Sequence, residues 1–352
     1  MIKLSLCIIA KDEETNIAKC LDSIVEYVDE IIVVDTGSKD KTKAIALKYT
    51  DKVFDYVWKN DFSAARNYAI NKASNEYILV VDCDEVIEKI DLDELNILID
   101  RKPKLVGRVL IINEYSRKGV TYRYKERLSR LFAKSYYNYV GTIHEQITPI
   151  DDIEIQAINI PITIKHFGYD GDLEVRKKKT MRNIELLLDE LMLTPNDPYI
   201  LYQLGKSYYM EEDYINSCKY FSEALYVDLD INLEYVQDMV ENYGYSLLNL
   251  EQYETSLQLL NIYDEFSKNA DFIFLVGLIL MNNMRYEEAI NEFFKATTMQ
   301  QSKMEGVNSY LAYYNIGVIQ ECLGNIQEAL KYYKRCGNYH LAIKRLRQIG
   351  EV

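Results

Sequence analysis

The sequence predicts an α/β domain with a mostly parallel, Rossmann-like sheet, followed by an all-α domain of stacked helical repeats. Two observations predict the first domain. Short apolar runs alternate with helix-length segments from Leu4 to Asp82, the order that builds parallel sheets through crossover helices. The runs are apolar throughout rather than at every second position, as expected for strands covered on both faces. A third observation predicts the repeats. After Pro195 a small residue recurs at near-constant intervals, each followed by a large aromatic.

The elements follow in order. Leu4–Ala10 reads as a buried strand, and Asn16–Val28 as a helix with Ile17, Cys20, Leu21, Ile24 and Val28 on one face. Glu30–Asp35 is a second strand that stops at Thr36-Gly37-Ser38, and Asp40–Tyr49 a second helix. Val53-Phe54 is a short strand, residues 62–73 a helix, and Tyr77–Asp82 a fourth strand. Val106–Ile112 and Leu128–Phe132 read as strands with a polar, Tyr/Arg-rich stretch between them. Ile158–Ile164 is a further strand, and Pro161 within it predicts an edge position. Residues 172–193 form a long helix with a basic start, Arg176-Lys-Lys-Lys179, and Pro195 and Pro198 mark a boundary. The predicted organisation is an α/β domain over residues 1–171, a linker helix over 172–197 and a helical-repeat domain over 198–352.

The repeats fit the tetratricopeptide pattern. Leu204-Gly205 with Tyr208, Phe221 and Ala224 is one copy. Val276-Gly277 with Ala289, Phe293 and Ala296 is another, and Ile316-Gly317 with Ala329 and Tyr333 a third. A degenerate copy starts near Tyr243-Gly244, with Leu247 and Leu260. A small residue lets two helices cross closely while an aromatic fills the groove beside it. Many of the 31 tyrosines are therefore expected between helices.

Composition excludes several classes. The net charge of −14 argues against a nucleic-acid binder held by phosphate contacts. The charge is −10 from Pro195 onward and −4 before it, so the first domain is nearly balanced and can hold a local basic pocket. Six cysteines stand at positions 7, 20, 83, 218, 322 and 336, with no C-x-x-C pair and no zinc spacing. Scattered thiols point to a reducing compartment. No apolar run approaches the ~20 residues that span a bilayer. The acidic Asp12-Glu13-Glu14 close to the start does not read as a secretory signal. The expected location is the cytoplasm.

The sharpest chemical signal is Val80-Val-Asp82-Cys-Asp84-Glu85. A buried strand ends in two carboxylates two residues apart, at the sheet edge where α/β proteins bind ligands. Two hard oxygen ligands suit Mg²⁺ or Mn²⁺ bridging to a diphosphate; otherwise these are helix-capping acids. Asp35, also at a strand's end, is positioned to accept hydrogen bonds from a base or ribose, while Ser38 or Asp40 caps the next helix. Arg66 follows Asp61-Phe-Ser63, and its planar fork suits a diphosphate or a pairing with Asp61 or Asp84. Arg123, Arg127 and Arg130 lie in the Tyr-rich stretch, where a solvated face is the simpler reading for at least two of the three.

These residues together resemble the family 2 glycosyltransferases, which have the GT-A fold. The resemblance rests on Leu6-Cys-Ile-Ile-Ala-Lys11-Asp-Glu-Glu, Asp29-Glu-Ile-Ile-Val-Val-Asp35-Thr-Gly-Ser-Lys-Asp40, Asp61-Phe-Ser-Ala-Ala-Arg66-Asn67 and Asp82-Cys-Asp84-Glu85. More narrowly the chain is similar to a bacterial subgroup with tetratricopeptide repeats behind the catalytic domain, which includes enzymes that glycosylate cysteines of bacteriocin peptides. The resemblance implies a nucleoside-diphosphate sugar donor, commonly UDP-linked. It implies that Ala10, Asp35, Arg66 and Asp82 bind the donor, with Asp82 on ribose or metal, and that Asp84 binds Mn²⁺ or Mg²⁺. Cys83 departs from the smaller residue often found between these two acids. A late His often completes the metal site in this fold, and His166 in Lys165-His-Phe-Gly168 takes that place. Glu145 in Gly141-Thr-Ile-His144-Glu145-Gln146 is the expected general base of an inverting transfer, with His144 orienting it or touching phosphate.

Three whole-protein readings follow. The first is an inverting hexosyltransferase acting on a Ser, Thr or Cys side chain of a peptide or protein held by the repeats. The second changes the acceptor to a glycan or lipid-linked saccharide of the cell surface; the third is a scaffold that has lost activity. The retained carboxylates favour an enzyme and the repeats favour a protein acceptor. Exposed helices at the end of the stack are expected to allow a homodimer.

Overall fold

The computed structural model describes residues 2–117, 120–167 and 173–350. The chain divides into two compact units, Met1–Lys179 and Thr180–Val352, the division falling inside helix α5 (Leu173–Leu193). Among the described residues, no helix is long and apolar enough to cross a membrane.

The first unit is built on an eight-stranded mixed sheet. Its strands are β1 (Leu4–Ala10), β2 (Glu30–Asp35), β3 (Val53–Asp55), β4 (Tyr77–Val80), β5 (Glu85–Ile90), β6 (Leu105–Arg117), β7 (Val120–Ala133) and β10 (Gln156–His166). Their order is β3-β2-β1-β4-β7-β6-β10-β5. The first four are parallel, β6 runs parallel to β10, and β7 and β5 run antiparallel to their neighbours. A separate two-stranded sheet joins β8 (Tyr137–Val140) to β9 (Gln146–Pro149). Helices α1 (Ile17–Asp22), α2 (Thr42–Ala46), α3 (Phe62–Lys72) and α4 (Leu92–Arg101) connect or flank the strands.

The unbroken apolar strands have the expected cause. On one face Leu4, Leu6, Ile8 and Ala10 of β1 pack with Ile17, Cys20 and Leu21 of α1 and Leu95 and Ile99 of α4. On the other, Cys7, Ile32, Val34, Ile78 and Val80 pack with Ala69 and Ile70 of α3 and Tyr137, Tyr139 and Ile147 of the small sheet. Alternate residues point to opposite faces and both faces are covered.

Three expectations are corrected. Strand β10 is not an edge strand; it lies between β6 and β5. Pro161 is tolerated because the β6 ladder is interrupted between Asn159 and Thr163, so its missing N–H breaks no regular pair. The Tyr/Arg-rich stretch is part of the long β6–β7 hairpin, paired from Gly107↔Leu131 to Arg117↔Val120. The helix expected over Asn16–Val28 is shorter, ending at Asp22 before a 3₁₀ turn over Val25–Tyr27. Third, the strand expected to run to Asp82 ends at Val80, which leaves Asp82 in the turn before β5.

The second unit holds the rest of α5 and helical pairs. The pairs are α6 (Pro198–Met210) with α7 (Tyr214–Leu225), α11 (Ala270–Asn282) with α12 (Tyr286–Thr298), and α13 (Tyr310–Cys322) with α14 (Ile326–Arg335), closed by α15 (His340–Ile349). Between the first two pairs, α8 (Glu234–Asn249) precedes a broken second helix: α9 (Tyr253–Ser256), a 3₁₀ turn (Leu257–Ile262) and α10 (Tyr263–Phe266). The glycine–aromatic logic holds in each regular pair. A β-carbon on Gly205, Gly277 or Gly317 would lie 2.5, 2.6 or 2.6 Å from the ring of Phe221, Phe293 or Tyr333. In the degenerate copy the side chains over Gly244 are Leu275 and Leu259, not Leu260.

Candidate active site

The carboxyl ends of β1, β2 and β4 meet in a cluster of polar side chains. Asp35 ends β2 and is buried. Its Oδ1 accepts from the backbone N–H groups of Gly37 (2.9 Å) and Ser38 (2.8 Å), which fixes the turn. Its Oδ2 is buried with no hydrogen-bond partner, an acceptor left open for a ligand N–H or O–H. Ala10 ends β1, and its carbonyl accepts from the Thr36 N–H at 2.9 Å. Ser38 does not cap the next helix; its Oγ accepts from the Asp12 N–H at 3.0 Å. Asp40 takes the Thr42 N–H at the start of α2, 2.9 Å away.

The Asp61–Asn67 segment does three jobs with one helix. Asp61 caps α3, accepting from the Ala64 N–H at 2.8 Å. Asn67 clamps β8 by donating to the Tyr139 carbonyl (2.8 Å) and accepting from its N–H (2.9 Å). Arg66, one residue earlier, is thereby aimed past β8 into the cluster. It pairs with Asp82 (Nη2–Oδ1, 2.8 Å) and, through Nε, with Glu145, not with Asp61 or Asp84. Its Nη1 is buried without a partner, and its guanidinium lies 5.6 Å from the Tyr139 ring centroid.

Arg130 of β7 completes the cluster. Its side chain is 11% exposed, and Nη2 donates to Asp82 Oδ2 and Glu85 Oε1, each at 2.8 Å. Asp82 thus has one guanidinium on each oxygen. Burial opposes its ionisation, but Arg66 and Arg130 outweigh burial and hold its carboxyl well below the usual carboxylate range. Burial pushes Glu85 upward, with Arg130 pulling against it. Glu85 also accepts from the Asp82 N–H at 2.8 Å through Oε2. Arg123 pairs with Glu114 of β6 (2.7 Å), and Arg127 donates to the Arg108 carbonyl.

Asp84 and His166 are brought together from the ends of β4 and β10, with Nε2 and Oδ2 3.6 Å apart. Burial lowers the basicity of His166, but Asp84 outweighs it and leaves the imidazole above its usual value. Its Nδ1 lies 2.7 Å from Asn113 Oδ1. The Asn113 amide nitrogen donates to Glu126 at 2.7 Å, so Oδ1 faces the ring as an acceptor and Nδ1 carries the proton. With Nδ1 on Asn113, His166 presents Nε2 to Asp84, so Nε2 is the ring nitrogen that would ligate a metal. Among the described residues no group of three or more His, Cys, Asp or Glu side chains forms a complete metal site. A carboxylate and an imidazole nonetheless suit a divalent cation that takes its other ligands from phosphate and water.

Glu145 follows the tight Val140–His144 bend, where Gly141 and His144 both have positive φ (104° and 50°). The bend is tied down by the Phe62 N–H, which donates to the Thr142 carbonyl at 2.8 Å, and by the Gln146 side chain on the His144 carbonyl (2.8 Å). Cys83 is buried beneath the two acids, its thiol toward the Ile9 carbonyl.

Residues Arg130, Asn113 and Glu85 were not singled out by sequence for these contacts. Glu85 was visible as the third acid of its run. Arg130 and Asn113 lie in strands whose pairing alone brings them to the site.

Residues 5–148 match the family described as glycosyl transferase family 2, and residues 310–336 match the tetratricopeptide repeat. A TPR repeat-containing protein of Synechococcus elongatus is 34% identical over 236 residues, covering 64% of this chain and 57% of the relative. The SPbeta prophage-derived glycosyltransferase SunS of Bacillus subtilis is 31% identical over 235 residues, covering 62% and 52%. The chain thus spans about half the length of the curated relatives it matches. Among solved structures, YrrB, titled a TPR protein with an unusual peptide-binding site, aligns at 20% identity with a TM-score of 0.41, covering 50% of this chain and 87% of that one. The chain carries a glycosyl transferase family 2 domain in its first unit and tetratricopeptide repeats in its second.

Proposed function

We propose that this protein is a cytoplasmic, inverting glycosyltransferase that moves a sugar from a nucleoside-diphosphate donor, a UDP-linked hexose or N-acetylhexosamine, to a peptide or protein side chain. The observation that carries the reading is the convergence at one sheet edge of an acceptor open to a nucleoside, Asp35 Oδ2, a buried arginine with a spare N–H, Arg66 Nη1, and the facing Asp84–His166 pair. Asp35 selects the nucleoside through its open oxygen. Arg66 turns Nη1 to an anionic oxygen of the donor, where burial strengthens the contact. Asp82 has both oxygens on arginines, so a contact with ribose or metal requires one of those bonds to be given up. Its first role here is to aim Arg66. Asp84 and His166 would hold Mn²⁺ or Mg²⁺, which supplies charge stabilisation to the departing diphosphate. Glu145 takes the proton of the attacking acceptor.

The transfer reading draws support from the likeness to the glycosyltransferase SunS, and the acceptor assignment from the repeats. Concave helical stacks bind extended chains. The test is a thermal-shift panel of nucleotide sugars, with and without Mn²⁺. A UDP-sugar is expected to raise the melting temperature, more so with metal; no shift with any nucleotide sugar would overturn the reading.

A further inference from the structure

Two buried arginines reach the Asp82 carboxylate, one on each oxygen, and only Arg66 is also bonded to Glu145. Arg66 divides two nitrogens between two carboxylates, Nη2 on Asp82 and Nε on Glu145. Arg130 uses one nitrogen for both of its acids, Nη2 to Asp82 Oδ2 and to Glu85 Oε1. Glu85 closes the arrangement on the Asp82 backbone N–H. The result is an unbroken chain from Glu145 through Arg66, Asp82 and Arg130 to Glu85. The two arginine side chains are 8% and 11% exposed and the Asp82 side chain 32%, so the arginines are withdrawn from water while the carboxylate they share is partly screened.

We propose that Arg130 is a positioning residue for Glu145: by sharing the charge of Asp82 it leaves Arg66 able to hold the Glu145 carboxylate in place. The functional consequence rests on the reading of Glu145 as the general base. Without Arg130, Asp82 and the buried Glu85 are left with one remaining cation, and Arg66 is drawn toward them and away from Glu145. The groups that then act on Glu145 are Arg66 from α3, Asp82 and Glu85 around the turn after β4, Tyr139 from β8 and the adjoining His144. Burial holds the Tyr139 proton on well above its usual value, so that phenol stays neutral throughout.

The experiment is a double-mutant cycle on UDP-sugar turnover by the full chain. Folded Arg130→Gln is expected to lower kcat about tenfold or more, because Glu145 is no longer held in place. Arg130→Lys should restore most of kcat, because a single Nζ can serve both acids as the single Nη2 does. In a Glu145→Gln background, Arg130→Gln should cost little further, because both changes act through the same carboxylate. Wild-type kcat in folded Arg130→Gln, or an undiminished loss in the double variant, overturns the inference. The base reading is decided separately: wild-type kcat in Glu145→Gln overturns that reading.

Discussion

Replacing Glu145 by Gln keeps its length and much of its hydrogen bonding but removes its basicity. Donor binding should persist while kcat for transfer to a hydroxyl acceptor falls ~10²–10⁴-fold. A thiol acceptor, partly ionised near neutral pH, should show a smaller loss, so kcat measured on matched Ser and Cys peptides reports on the acceptor atom too. A second residue-scale effect lies in the repeats. Glu241 of α8 is buried, and burial pushes its carboxyl up to about 8, against the pull of Lys303. The folded chain therefore binds more protons than the unfolded one between the ordinary 4.5 and about 8. Stability is fully present below that window and falls as pH rises through it. Lys303, held above its usual value, does not titrate there. The melting temperature should drop across this range, and Glu241→Gln should flatten the drop by about 5 °C. An equal slope in both proteins would contradict the assignment. The acids at strand ends were legible in the sequence because each closes an apolar run. Arg130 was not, since nothing local separates it from Arg123 and Arg127; only the β4–β7 pairing buries it.

At the scale of elements, the repeat glycines make the sharpest claim. A methyl group at Gly277 would sit 2.6 Å from the Phe293 ring, closer than packed atoms approach. Gly277→Ala should therefore destabilise by about 1–3 kcal/mol through overpacking. Phe293→Leu in the same chain should recover part of the loss, and additive penalties in calorimetry would contradict the contact. These pairs were legible because glycine and aromatic recur at a fixed interval. Strand β5 was not, since Glu85-Val-Ile-Glu-Lys-Ile90 is short and half charged, and it is made a strand by pairing with β10. Pro161 misled for a related reason. Local chemistry says that a missing N–H disfavours an interior strand, but an interrupted ladder removes the need for that N–H.

Across the whole molecule, the residues assigned to chemistry and the helical repeats fall in different units. The donor-type side chains lie between Ala10 and His166, inside the first unit, and the second unit is built of helical pairs. This division was visible from sequence because a period of two elements per strand–helix unit gives way to a repeat near 34 residues. The central claim is that the sheet edge of the first unit binds a nucleoside diphosphate together with a divalent cation. It is tested most directly by calorimetric titration of the intact protein with UDP, with and without Mn²⁺, in the wild type and in Asp84→Asn. The account predicts that Mn²⁺ tightens UDP binding about tenfold or more, as expected when a metal ligand and a phosphate share one cation, and that Asp84→Asn removes most of that gain. Equal UDP affinity with and without Mn²⁺ in the wild type would contradict it.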